Sequence, residues 1–130
     1  MTAPAWARDL VRMVCADAGV DEPRLTWRSR AGEHSTGVTR RHDGSVTVRA
    51  GTDVTDQRLT LLHELAHWLA PAPRRRPRTL HHGRDFYRVA FGLYRRHGIS
   101  DADALRLESA RYRSALGHAH ELGIAGARDA

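Results

Sequence analysis

The sequence predicts one small α+β domain over residues 1–130, in which a short antiparallel sheet packs on a central helix with further helices behind it. Three observations lead there. Apolar residues recur at helical spacing in several separate segments, short alternating runs bounded by turn residues occupy positions 24–50, and no internal repeat or long linker divides the chain.

Taken in order, Trp6, Leu10, Val11, Val14 and Cys15 share one face of a helix over 3–18, which Gly19 and Pro23 end. Arg24–Ser29, Gly37–Arg41 and Ser45–Ala50 read as strands. The last two flank Asp43-Gly44, a hairpin signal, and Val46 and Val48 fall on one face. Thr52 to Asp56 offer N-caps for a helix over 56–70, which Pro71 and Pro73 stop. Positions 74–79 lack a helical period and read as a loop. Phe86, Val89, Ala90 and Leu93 define a helix over 84–97 that Gly98 closes, and Ser100 with Asp103 starts one unbroken helix over 101–122. Residues 123–130 read as a frayed tail.

Composition narrows the class. With 41% apolar and 28% charged residues the chain is an ordinary globular one, not a disordered one. No stretch is apolar enough for a membrane span, and Asp9 and Arg12 interrupt the apolar region a secretory signal would need, so a cytoplasmic protein is expected. The lone Cys15 excludes an internal disulfide and a cysteine-built zinc site. The net charge of +6 suits a phosphate-rich partner, although all 21 basic residues are Arg, a bias that a GC-rich coding sequence also produces.

The segment His63-Glu64-Leu65-Ala66-His67 carries the chemistry. On a helix, residues four apart project from one face with β-carbons about 6 Å apart, so two imidazoles can close on one Zn²⁺. Glu64 lies about 100° around the helix. From there its carboxylate reaches a water on the metal without being a ligand and can act as general base for attack on a carbonyl. The surrounding Leu61, Leu62, Leu65, Ala66, Trp68 and Leu69 are apolar, so the histidines sit where a mere surface role is unexpected. A catalytic zinc takes a third protein ligand. His82, ahead of Gly83 and one turn before Phe86, is the expected one, with the adjacent His81 as its alternative.

The paired pattern His63-Glu64-x-x-His67 and His82-Gly83-x-x-Phe86 resembles the SprT-like (Spartan-type) zinc peptidase domain and the related small gluzincin-like peptidases over about residues 37–97. That resemblance implies a zincin-like fold, a zinc ion on His63, His67 and His82, Glu64 as catalytic base, and a protein or peptide substrate. Better-known members of the family act on proteins attached to DNA and carry further zinc or DNA-binding modules; one Cys leaves no Cys₄ ribbon here.

Arg74, Arg75, Arg76 and Arg78 form the densest basic cluster and are the candidate nucleic-acid contact. Tyr87, Tyr94 and Tyr112, with Arg84 and Arg88, are candidates to stabilise an oxyanion, and Asp85 a candidate to orient an imidazole. Val46–Ala50 is the expected sheet edge for an extended peptide. Two other readings fit the same residues: a DNA-binding or protein-interaction module with structural zinc, and a zinc hydrolase of a non-peptide amide. The first leaves Glu64 without a role.

Overall fold

The computed structural model describes residues 2–32, 35–70 and 82–124. The chain divides into two compact units, Met1–Leu69 and Ala70–Ala130. Among the described residues there are a three-stranded sheet and five helices, and no helix is long and apolar enough to cross a membrane.

The first unit begins with α1 (Ala5–Ala18), which buries Ala7, Leu10, Val11, Val14 and Cys15. Gly19 ends it at φ 69°, a left-handed conformation open to glycine, while the amides of Gly19 and Val20 close on the carbonyls of Ala16 and Cys15. The strands are β1 (Arg24–Ser29), β2 (Gly37–Arg40) and β3 (Ser45–Ala50), in the spatial order β1-β3-β2. β2 and β3 form the expected hairpin, with Gly44 at φ 69° in its turn. β1, however, runs parallel to β3, with Trp27 opposite Val48, so the sheet is mixed and not purely antiparallel. β2, next in sequence, lies beyond β3, and the hairpin places β3 between the other two strands. The same topology corrects the expected substrate edge: Val46–Ala50 is the central strand, and β1 and β2 are the edges.

Strand alternation gives the sheet two unlike faces. Trp27, Val46 and Val48 are buried on the inner face, with Trp6 of α1 meeting Trp27 edge-on at 5.7 Å between ring centres. Such a pair contributes about 0.5–1.5 kcal/mol beyond the area it buries. Against β2 and β3 lies α2 (Val54–Leu69), whose Leu59, Leu61, Leu62, Leu65 and Ala66 are buried. Asp53 caps it by accepting the Asp56 amide at 2.9 Å. Arg30 ties the start of α2 to the sheet, donating to Asp56 Oδ1 and to the Arg49 carbonyl.

Among its described residues, the second unit has α3 (Arg84–Arg96), α4 (Asp101–Arg111) and α5 (Ala115–Glu121) packed on one another. Its core is Phe86, Tyr87, Ala90, Phe91, Leu93, Tyr94, Ala104, Leu105, Ala115 and Ala119. Ser100 caps α4 as expected, its hydroxyl accepting from the Asp103 amide at 3.1 Å. The single helix expected over 101–122 is two. Tyr112 is extended (φ −134°, ψ 118°), and the break lets the chain turn so that Ala115 and Ala119 reach the core.

Candidate metal centre

Within the first unit, α2 carries His63, Glu64 and His67 into surroundings that the apolar stretch from Leu59 to Ala66 makes dry. His63 is 1% exposed and Glu64 4%, values that exclude a solvated surface role for either. The helical spacing brings the two imidazoles to 5.1 Å between ring centres, inclined at 72°, and a nitrogen of one lies within 4.8 Å of a nitrogen of the other. A pair of histidine nitrogens so placed is a donor set suited to Zn²⁺. Arg41, just past β2, donates through Nε and Nη2 to the His67 carbonyl at 3.0 and 2.7 Å, anchoring the last turn of α2 through a charged group at its C-terminal end.

The sheet supplies what surrounds Glu64. Thr39 of β2 stands opposite Val46 on the inner face, and its hydroxyl lies 2.9 Å from Glu64 Oε1 and 2.9 Å from the Glu64 carbonyl oxygen. Two residues earlier, Gly37 makes room for the carboxylate. A β-carbon there would come within 2.6 Å of the Thr47 carbonyl oxygen and 3.0 Å of Glu64 Oε2. Neither Gly37 nor Thr39 was singled out from the sequence. The signal was available in principle, since the Asp43-Gly44 turn sets the hairpin register and so puts both on the face of Val46 and Val48.

In the second unit, His82 stands immediately before α3, whose N-cap Gly83 is extended at φ −88° and ψ −170°. Its ring meets Phe86 edge-on at 5.1 Å, one turn into the helix as the sequence implies, and lies 4.1 Å from the ring of Tyr112 at a tilt of 30°. The contact with Tyr112 uses the break between α4 and α5, which no residue pattern announces.

The oxyanion candidates separate. Tyr94 is fully buried and donates to Glu108 Oε2 at 2.7 Å, and Tyr87 is fully buried between Phe86, Phe91 and His118. Burial, with the Glu108 carboxylate next, holds both hydroxyls well above the usual tyrosine range. Tyr112 alone of the three is partly exposed. Asp85 does not fit an imidazole-orienting role: its side chain is 78% exposed and pairs with Arg88 at 3.6 Å on the surface. Arg74, Arg75, Arg76, Arg78 and His81 lie outside the described residues.

Comparison with family models, curated proteins and solved structures returns no match to this chain.

Proposed function

We propose that this protein is a zinc-dependent hydrolase that cleaves peptide bonds, with His63, His67 and His82 as metal ligands and Glu64 as general base. The observation that carries the reading is the pair His63 and His67 with the buried Glu64 between them in sequence and held by Thr39. His82, in the second unit, is proposed as the third ligand on the sequence pattern His82-Gly83-x-x-Phe86. Three neutral imidazoles leave a coordination position for reaction, as catalytic sites require and closed structural sites do not. That favours an enzyme over a structural zinc module.

When bound, the metal supplies Lewis acidity that polarises a carbonyl and acidifies water. The chain's own contribution is proton handling and placement. Glu64 takes a proton from the attacking water and returns it to the leaving amine, and Thr39 and Gly37 fix where its carboxylate stands while it does so. A buried carboxylate amid leucines is also shielded from bulk water, which strengthens its interaction with any charge that develops nearby.

The test pairs metal content with turnover. Purified protein should hold one zinc per chain, and Glu64→Gln, which keeps size and polarity but cannot accept the proton, should retain that zinc while hydrolysis of a casein-type substrate falls by about 10²–10⁴. Wild-type turnover in this variant would remove the general-base role, and absence of zinc from the wild type would remove the whole reading.

A further inference from the structure

The outer face of the sheet, turned away from α2, has a composition that its role as a cover for the helix does not require. Reading across the strand pairs, Arg24, Ser45 and Arg40 form one row, Thr26, Thr47 and Val38 the next, and Arg28 and Arg49 the third. Arg24, Thr26, Arg28 and Arg40 are exposed, and Arg49 is half-buried. These side chains line an open trough with a hydroxyl floor, in which Asp43 is the one acidic residue. Even there, Arg24 Nη2 reaches the Asp43 backbone carbonyl at 3.2 Å, not its carboxylate.

We infer that this face is a docking surface for the phosphate backbone of double-stranded nucleic acid. Charge complementarity is the first argument: four guanidinium groups stand against one carboxylate in a protein of net charge +6. Spacing is the second. Arg24 and Arg28 are four residues apart on one strand, so the two basic rows are about 13 Å apart. The major groove of a duplex is about 12 Å wide, and each row can therefore reach one of the phosphate strands that border a groove. Chemistry is the third. The face offers guanidinium forks and Ser and Thr hydroxyls, which are phosphate donors, and no aromatic ring on which an unpaired base would stack. That favours a duplex over a single strand and backbone contact over sequence readout. The surface is independent of the zinc chemistry and shares no residue with it.

The experiment measures binding of a fluorescent mixed-sequence DNA duplex by the full chain across a salt series of about 50–200 mM. Replacing Arg24, Arg28, Arg40 and Arg49 together by Gln should reduce the salt slope by about 3–4 units, with affinity at the low-salt end falling about a hundredfold. Replacing the same four by Lys should keep the slope, because phosphate contacts need charge more than shape. Should the Gln variant fold poorly, the pair Arg28→Glu and Arg49→Glu leaves the Arg24–Asp43 contact intact and should reduce binding at least as steeply per residue. Zinc content and hydrolysis of a DNA-free peptide should not change in any of these variants, so failure of the docking surface and failure of the hydrolase reading give different results. An unchanged slope in the Gln variant would overturn the inference. So would tighter binding of poly-glutamate than of duplex, which would assign the face to an acidic protein partner, or a slope lost only when Arg74, Arg75, Arg76 and Arg78 are neutralised.

Discussion

The Thr39 hydroxyl sits 2.9 Å from Glu64 Oε1 and 2.9 Å from the Glu64 carbonyl oxygen, so one side chain of β2 holds both the acid group and the backbone of the proposed base. It has a single hydrogen to give and lone pairs to offer. While Glu64 is a carboxylate, Thr39 donates to Oε1. Once Glu64 carries a proton, its carboxyl can donate to Thr39, whose own hydrogen turns to the carbonyl. The anchor therefore holds in both states that a general base passes through. Thr39→Val keeps the shape and removes the hydroxyl, and should lower kcat by about ten- to a hundredfold with KM and zinc content unchanged. Thr39→Ser should restore most of the rate. A serine variant as slow as the valine one would show that the methyl packing matters and the hydroxyl does not.

Gly37 offers a steric test of the same strand. An added β-carbon would meet a backbone oxygen of the neighbouring strand at 2.6 Å, and a paired strand cannot yield as a flexible side chain does. Gly37→Ala should cost about 1–3 kcal/mol by chemical denaturation and lower kcat as β2 moves from Glu64. Full stability in this variant would contradict the close approach.

Metal content separates the proposed ligands from their neighbours. His63→Ala and His67→Ala should each abolish tight zinc binding, since two remaining imidazoles rarely hold the ion alone. His82→Ala should do the same and His81→Ala should not. The reverse outcome for this last pair would make His81 the third ligand.

How far the site was legible follows from the range of the forces involved. The pairing of His63 with His67 is a property of one helix, and four-residue spacing in the sequence suffices to predict it. The β2–β3 hairpin is equally local, and Asp43-Gly44 announced it. What failed was non-local. The parallel partnership of β1 with β3 depends on which way the chain crosses after Ser29, and strand periodicity carries no information on that. The break at Tyr112 belongs to tertiary packing, which helical propensity does not register: beyond it Ala115 and Ala119 are buried. Thr39 and Gly37 were hidden for a related reason, since their importance arises only where a strand meets a helix.

Alkaline stability should report on the two buried tyrosines. Both Tyr87 and Tyr94 have raised values in the folded state, from burial first and from Glu108 second. Below the ordinary tyrosine value of about 10, folded and unfolded chains both keep these protons and nothing changes. Above it the unfolded chain releases protons that the folded chain retains, so the unfolded state binds fewer and stability falls as pH rises. Each tyrosine adds about 1.4 kcal/mol per pH unit to that slope. Tyr87→Phe keeps the ring among Phe86, Phe91 and His118 and should remove one proton's share, measured by denaturant unfolding at several pH values above 10. A slope unchanged by this substitution would mean that Tyr87 ionises as readily in the folded chain as in the unfolded one.

Tyr112 offers a ring and a hydroxyl, and two substitutions separate what each would do. The ring lies 4.1 Å from that of His82, close enough to fix the plane of the imidazole, and the residue keeps some exposure where Tyr87 and Tyr94 have none. If the hydroxyl donates to the oxyanion that forms during hydrolysis, Tyr112→Phe should retain zinc and KM while kcat falls by about 10²–10³, the usual loss for one such donor. Tyr112→Ala removes the stacking partner as well, and should weaken zinc binding in addition, because His82 then loses the surface that orients it. Comparing the two variants assigns each effect to its atoms. A Phe variant with wild-type kcat confines Tyr112 to positioning His82, and an Ala variant with wild-type zinc affinity removes that role too.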